Sequence, residues 1–136
     1  MTDNATTTQP DPQQPMEPTL QFFVLCDNVA QEGPKPVFVG VFDQIRRPGP
    51  IPQFIIAIRW TNGLGHHRLN LRILDPDLKE LTTFDGKFEL RHRAANATVF
   101  FNVVNFVFPV PGVYWFEIKL NDASSTSIPL PVHGGA

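Results

Sequence analysis

The sequence predicts an all-β fold, one antiparallel sandwich of seven to eight strands, with a closed barrel as the alternative. From Leu20 onward, apolar runs rich in Val, Ile and Phe recur, and clusters of Gly, Pro, Asn and Asp separate them. Several of these runs alternate between apolar and polar residues, and no longer segment has the 3.6-residue apolar stripe of a helix. Both observations are typical of half-buried strands.

Length and composition exclude several classes of protein. The chain has 136 residues, of which 42% are hydrophobic and 18% charged, so one domain with its own core is expected. A single cysteine excludes a disulfide framework and a zinc ribbon, and no apolar run is long enough for a spanning helix. The net charge of −2 favours neither a nucleic-acid nor a membrane partner.

The N-terminal segment differs from the rest of the chain. Residues 1–18 contain four prolines, four threonines and three glutamines, too little apolar surface to offset the entropy of ordering them. We therefore expect a disordered Pro/Thr/Gln-rich tail over 1–18, a sandwich over 19–132 and a loose C-terminus over 133–136. This tail lacks the apolar run of a secretory signal, and a free thiol suits a reducing compartment, so the expected location is cytoplasmic.

Eight strands are predicted in chain order. The fourth alternates cleanly, because Leu69, Leu71 and Ile73 share one of its faces and polar residues occupy the other, and the seventh alternates as well. The predicted strands are Leu20–Cys26, Pro36–Phe42, Gln53–Trp60, His67–Leu74, Leu81–Leu90, Ala97–Phe108, Gly112–Leu120 and Ser127–Val132.

Turn-forming residues separate these strands. The segments 75–78 (Asp-Pro-Asp-Leu) and 121–123 (Asn-Asp-Ala) are each expected to join two antiparallel neighbours. Asn62-Gly63 and Asp85-Gly86 have the positive-φ chemistry of tight turns or bulges. Residues 48–52 (Pro-Gly-Pro-Ile-Pro) are expected to run extended over the surface from one sheet to the other, because they cannot pair as a central strand.

Residues 109–118 contain a Pro-Gly-x-Tyr motif that ends at Tyr114. The motif resembles the corner that enters a late strand of immunoglobulin-like and fibronectin-like modules. This resemblance implies that Tyr114 packs inward and that its hydroxyl bonds nearby backbone.

A second resemblance spans nearly the whole folded unit. Residues 22–27 and 32–43 resemble the opening of a family of small uncharacterised bacterial proteins, in which a strand ending in Asp precedes a Gly-Lys turn and a strand ending in Gly-x-Phe. The likeness continues through residues 71–77 and the Tyr114 corner. It implies a small immunoglobulin-like sandwich and no particular chemistry.

The predicted strand Ala97–Phe108 is apolar on both faces. Asn102 and Asn105 lie three residues apart and are expected to mark a bulge that shifts the register. Both faces must be buried, so the outer one is covered by the tail, by the Pro-rich loop or by another chain. The expected protein-contact residues are Phe100, Phe106, Phe108 and Trp115.

All seven arginines lie between Arg46 and Arg93. If the third and fourth predicted strands are hairpin neighbours, Arg59, Arg68 and Arg72 emerge on one outer face. Guanidinium groups bind carboxylates in a bidentate manner, so this face would suit an acidic protein surface. The alternative is a solvated face that nearby acidic residues neutralise.

No catalytic or metal-binding pattern stands out. Cys26 ends an apolar strand, where packing is a better account than nucleophilic chemistry. Asp75 and Asp77 fit a turn better than a calcium site, and Asp27 and Asp43 follow strands, where aspartate forms turns. The histidines are expected in exposed loops, not at a metal; they are His66, His67, His92 and His133.

The sequence therefore predicts a non-catalytic protein-interaction or assembly module that requires no cofactor. The expected partner is a protein, with a second copy of the chain and an acidic surface as candidates. The alternative is a small-ligand or carbohydrate-binding sandwich in which Trp60 or Trp115 stacks on the ligand.

Overall fold

Nine strands in antiparallel ladders make up the described part of the chain. The computed structural model describes residues 15–135. The strands are β1 (Thr19–Cys26), β2 (Asn28–Glu32), β3 (Lys35–Val39), β4 (Gly49–Thr61), β5 (Gly65–Leu74), β6 (Glu80–Leu90), β7 (Asn96–Phe108), β8 (Gly112–Leu120) and β9 (Ser124–Val132). One sheet has the order β1-β4-β7, a second has the order β6-β5-β8-β9, and β2 and β3 form a separate hairpin. The predicted all-β antiparallel fold is confirmed.

The hydrophobic core lies between the three-stranded and the four-stranded sheet. Alternate residues of β4, β5 and β8 point into it, as the period of two in the sequence predicts. Burial of each such side chain contributes about 1.5–3 kcal/mol. The largest fully buried side chains are Tyr114, Phe54, Phe108, Phe116, Ile56, Ile58, Leu69, Leu71, Ile73, Leu90, Ile118 and Leu130.

The chain changes sheets between β4 and β5. Asn62 has a φ of 58° at this corner, as its turn chemistry predicts.

Met16 and Leu64 exchange two backbone hydrogen bonds, at 2.9 and 3.1 Å, and Pro18 is buried. The packed part of the chain therefore begins before Thr19, and the rest of the predicted tail, residues 1–14, lies outside the described residues. At the other end, His133 donates its backbone N–H to the Ile45 carbonyl at 2.8 Å.

The Pro-rich segment forms the start of β4, so the prediction that residues 48–52 run from one sheet to the other is wrong, although they do not pair as a central strand. Gly49, Pro50 and Ile51 pair with the end of β7. Pairing between β1 and β4 begins only at Ile55, so this stretch of β4 has β7 as its single ladder neighbour. Proline is tolerated where a strand has a ladder neighbour on one side only, as at a sheet edge.

The irregularity predicted near Asn105 is present but differs in kind. The β4–β7 ladder keeps a single register along its whole length, with a gap only where Pro52 and Asn105 face each other. Asn105 has a left-handed φ of 53°. Before this point Phe101 and Val103 face the core; after it Phe108 does. At this point the side chains of β4 and β7 switch together between the inner and the outer face of the sheet, and the ladder has no bulge.

The β2–β3 hairpin contains a strand that the sequence analysis missed. Most residues of β2 are exposed, and a strand outside both sheets has no apolar face to create an alternating pattern. The predicted second strand ends at Val39 instead of Phe42, because Gly40 adopts a φ of 70° and ends the pairing. Asp85-Gly86, predicted to have the positive φ of a tight turn or bulge, lies within β6 in regular pairing with β5.

The two predicted hairpin turns are confirmed. The Asp75 carboxylate accepts the backbone N–H groups of Asp77 and Lys79, both at 2.9 Å, and so organises the β5–β6 turn. In the β8–β9 turn, Asn121 and Asp122 have φ values of 52° and 59°. Both turns use short polar side chains in the way that their sequences predict.

Candidate interaction surface

The outer face of the three-stranded sheet carries an uncovered apolar patch on β7. Phe100 is 46% exposed, Val104 is 58% exposed and Val107 is 50% exposed. Asn102 lies between Phe100 and Val104 and accepts a hydrogen bond from Gln53 Nε2 at 2.7 Å. We call Phe100, Asn102 and Val104 the β7 patch.

The opposite side of the same outer face is covered. The ring of Phe38, in the β2–β3 hairpin, packs edge-on against Phe22 of β1 at a centroid distance of 5.7 Å. β2 also contacts β4, where Ala57 is fully buried although its neighbours Ile56 and Ile58 face the core. The hairpin is therefore the intramolecular cover, and it leaves the β7 side open.

Two of the predicted contact residues belong to the core. Phe108 is fully buried, and Phe106 is partly buried and packs against the core. Their rings contact each other at 4.8 Å, and Phe108 meets Tyr114 edge-on at 5.0 Å. The exchange of faces at Asn105 turns both side chains inward, so neither can provide an exposed contact surface.

Trp115 lies on the other side of the sandwich. It is half-buried in β8 and is paired with Leu74 and Pro129 on the outer face of the four-stranded sheet. The structure therefore separates Trp115 from Phe100, and the predicted four-residue contact surface does not form.

The arginines are separated in the same way. β4 and β5 are not hairpin neighbours, so Arg59 lies on the three-stranded sheet while Arg68 and Arg72 lie on the four-stranded sheet. The guanidinium group of Arg59 lies 5.0 Å from the centre of the Phe22 ring, and its Nε donates to Thr98 Oγ1 at 2.8 Å. The prediction of a single arginine face is thus wrong, because it requires the third and fourth predicted strands to be hairpin neighbours, and they lie in different sheets.

Arg68 and Arg72 each contact carboxylates of their own chain. Arg72 donates to Glu117 at 2.7 Å and to Glu80 at 3.3 Å, and the hydrogen bond to Glu117 raises the pKa of the guanidinium group. Arg68 contacts Asp122 at 3.1 Å, with both side chains largely exposed. This arrangement matches the neutralised-face alternative more closely than a vacant acidic-partner site.

The outer face of the four-stranded sheet also contains a shallow groove of about 330 Å³. Its charged lining is mixed in sign and consists of Arg68, Lys87, Lys119, Asp85 and Asp122. A groove that already carries both signs of charge has little preference for an anionic partner.

One histidine is a structural residue of the core. His67 is 2% exposed; its Nε2 lies 2.8 Å from the Leu64 carbonyl oxygen and its Nδ1 lies 3.0 Å from Asn121 Nδ2. The geometry fits a ring that donates from Nε2 and accepts at Nδ1. The prediction of an exposed loop position is therefore wrong for His67, whereas His66 is exposed and contacts Glu89 at 3.5 Å.

Cys26 and the other candidates for chemistry form no metal-binding group in the described part of the chain. Cys26 is fully buried, and burial raises the pKa of its thiol, which disfavours the nucleophilic thiolate. Among residues 15–135, no three His, Cys, Asp or Glu side chains come together in a way that could hold a metal ion.

Trp60 is not available as a sugar-stacking platform. Trp60 is 4% exposed and stacks on Phe88 inside the sandwich at 5.7 Å. Its indole Nε1–H is buried, and no other described residue accepts a hydrogen bond from it. Sequence reasoning missed this group, because an alternating pattern places a tryptophan in the core without indicating where its N–H points.

Comparisons with known proteins identify a family but no activity. None of the residues in the described range forms a helix capable of crossing a membrane. No curated protein matches this chain. A crystal structure of a β-glucuronidase from Parabacteroides merdae is similar to 71% of the chain at 12% identity and a TM-score of 0.38, and the match spans 14% of that enzyme. The model of the family of unknown function DUF6941 matches residues 21–133, and the protein belongs to that family.

Proposed function

We propose that the protein is a non-catalytic assembly module that pairs with a second copy of itself through β7. The observation that supports this proposal is the character of β7: it is a 13-residue edge strand without a charged residue, and its outer face presents the β7 patch. An exposed, long and apolar edge strand offers unpaired N–H and C=O groups to another strand.

A comparison with the other sheet edges sets β7 apart. β9 contains Pro129 and Pro131, and β6 carries charged residues along its length. The edge of β1 has an irregularity between Leu20 and Phe22, and Leu25 accepts a backbone hydrogen bond from Phe42 at 2.9 Å. Proline, charge and irregular pairing each discourage edge-to-edge association. From Asn96 to Val104, β7 has none of these protections.

The sequence of β7 suits an isologous pair. Two antiparallel copies related by a two-fold axis at Asn102 would place Phe100 of one copy opposite Val104 of the other. A cross-strand pair of an aromatic and a β-branched residue stabilises a sheet by about 0.2–1 kcal/mol. The two Asn102 side chains would meet at the centre. The result is a six-stranded sheet that continues across both molecules.

Association through β7 does not require the arginines. Arg68 and Arg72 already contact carboxylates of their own chain, so an acidic partner is not part of this proposal. A cytoplasmic site of assembly is consistent with the free thiol of Cys26.

We further infer that the sandwich is immunoglobulin-like. β1, β4 and β7 follow the chain order of strands A, B and E, and β5, β8 and β9 follow that of C, F and G. The Tyr114 hydroxyl bonds backbone four residues upstream at the entry to β8, as the tyrosine corner of strand F does. β6 pairs with β5 instead of β7, which differs from the constant-type arrangement. A bacterial origin fits the resemblance that the sequence carries.

Sedimentation velocity over a hundredfold range of concentration tests the assembly proposal. We expect a dimer for the native chain and a monomer for Val104→Lys, because the lysines would meet apolar groups across the interface. Val41→Lys is the matched control, since Val41 is 61% exposed and lies outside β7. A native chain that stays monomeric, or a Val104→Lys variant that still dimerises, would refute the proposal.

A further inference from the structure

An open groove lies beside the segment that joins β3 to β4. It has a volume of about 380 Å³, a size that accommodates a small molecule. Most of the lining is apolar, and one carboxylate and one amide complete it; the residues are Gly40, Val41, Phe42, Ile45, Ile51, Asp27 and Gln44. The described lining includes no residue of β7, so the groove belongs to a single copy of the chain and does not depend on pairing through β7.

The apolar wall of the groove is fixed to both sheets by backbone hydrogen bonds. Phe42 donates its N–H to the Leu25 carbonyl oxygen of β1 at 2.9 Å. Ile45 donates its N–H to the Pro131 carbonyl oxygen of β9, also at 2.9 Å. The side chains of Phe42 and Ile45 pack against the hydrophobic core. The wall is therefore preformed, and a ligand that binds there does not have to order the segment first.

Asp27 supplies the carboxylate of the groove. Its backbone N–H lies 2.9 Å from the Val39 carbonyl oxygen and 3.2 Å from that of Gly40, which fixes the start of the side chain. The carboxylate lies against Gly40, where an added Cβ atom would overlap it, and Gly40 has a left-handed φ of 70°. The missing side chain at position 40 therefore makes room for the carboxylate. Asp27 is exposed to solvent, and none of the ion pairs among residues 15–135 includes it.

The charge and polarity of the lining select the class of occupant. Asp27 is the one charged residue in the described lining, and no lysine, arginine or histidine there neutralises it. The side-chain oxygen of Gln44 already contacts His133 Nε2 at 2.7 Å. A carboxylate beside apolar side chains attracts a cation more strongly than it would in open water, and it repels an anion. The apolar wall favours a hydrocarbon body.

We propose that this groove binds a small organic cation, namely an ammonium group on an apolar body of about one six-membered ring. The ammonium group contacts the Asp27 carboxylate, and the body lies against Val41, Phe42 and Ile45. The size is suitable, because an apolar cavity of about 150 Å³ already holds one benzene ring.

Isoleucine methyl signals of the native chain provide the test, with cyclohexylammonium as the probe. In a ¹³C-correlated spectrum, Ile45→Val and Ile51→Val assign the two isoleucine signals of the groove. We expect cyclohexylammonium to move both signals and to leave that of Ile118, which is buried in β8, in place. Cyclohexanol has the same ring without the charge and should bind about fivefold more weakly, a factor typical of an exposed charge pair. Cyclohexanecarboxylate should cause no shift, and added salt should weaken binding of the cation alone.

Two aspartates of the same region provide a matched pair of variants. Asp27→Asn should reduce the affinity for cyclohexylammonium to that for cyclohexanol, whereas Asp43→Asn should leave it unchanged, because Asp43 is exposed and does not line the groove. Signals of Ile45 and Ile51 that stay in place at the highest soluble concentration of the cation would overturn the proposal. Equal affinities for cyclohexylammonium and cyclohexanol, or equal losses in the two variants, would also overturn it.

Discussion

The hydroxyl of Tyr114 forms hydrogen bonds with both the backbone N–H and the backbone C=O of Val110. Its Oη donates to the Val110 carbonyl oxygen at 2.7 Å and accepts the Val110 N–H at 3.1 Å, while the Tyr114 ring is fully buried. These two bonds close the corner before β8. Tyr114→Phe keeps the ring and removes both bonds, so we expect the free energy of unfolding to fall by about 1–2 kcal/mol. Urea denaturation measures this change, and an unaltered midpoint would show that the corner needs no hydroxyl.

Gly86 lies where β6 packs against side chains of β7. A Cβ atom built at Gly86 would lie 3.0 Å from Val99 Cγ1 and 3.1 Å from Phe101 Cζ. Gly86→Val should therefore lower the stability by about 1–3 kcal/mol through overpacking. Gly134→Val is the control, because a Cβ atom at Gly134 has nothing within 4 Å. Thermal denaturation of both variants should separate them, and equal melting temperatures would contradict the close approach.

Arg72 and Arg68 should respond differently to reversal of charge. Arg72 bridges Glu117 and Glu80, and Arg72→Glu would place three carboxylates together. Arg68 makes one exposed contact, with Asp122, and such pairs contribute little. We expect Arg72→Glu to lower the melting temperature clearly and Arg68→Glu to leave it almost unchanged. Added salt should reduce the difference, because salt screens exposed charges. Equal losses of melting temperature in the two variants would contradict the stronger contribution expected from Arg72.

The buried thiol of Cys26 predicts a dependence of stability on pH. Burial raises the pKa of this thiol in the folded state. In the unfolded chain the thiol ionises near pH 8.5. Above that pH the unfolded state binds fewer protons than the folded state, so the stability conferred by the thiol falls as pH rises. The difference in free energy of unfolding between the native chain and Cys26→Ala should change in that direction between about pH 7.5 and 9.5.

The same thiol should also be unreactive in the folded protein. Cys26 is fully buried and is the only cysteine of the chain. A disulfide reagent should label it in concentrated urea and should label it far more slowly in buffer. Rapid labelling of the native protein would contradict the burial.

Much of the fold follows from the sequence because strand burial has a period of two. The alternation around Leu71 predicts a strand with one buried face, and the turn residues at Asp75 predict a hairpin between two antiparallel strands. The structure confirms both predictions. β2 could not be predicted in this way, because a hairpin outside both sheets has no face that must be apolar. Its role as a cover emerges only from the contact between Phe22 and Phe38.

The candidate surface was less predictable, because it depends on which strands are neighbours. Alternation correctly places Phe100 on an outer face, but no local pattern reveals that β4 and β5 lie in different sheets. The facing of Phe108 could not be predicted either, because the left-handed backbone at Asn105 reverses it. Asparagine tolerates this conformation, but the sequence does not require it. Pairing between distant strands decides where the arginines lie, and the backbone conformation of Asn105 decides which way Phe108 faces.

Disulfide trapping at the centre of β7 tests the assembly most directly. Asn102→Cys should cross-link two copies under mild oxidation, because residues directly opposite each other in an antiparallel pair have Cβ atoms about 4.5–5.5 Å apart. Cys26 is buried and does not compete. Val113→Cys, at an exposed position of the other sheet, should remain monomeric. Rapid dimer formation by Asn102→Cys alone is the predicted result; no cross-linking, or equal cross-linking of both variants, would contradict pairing through β7.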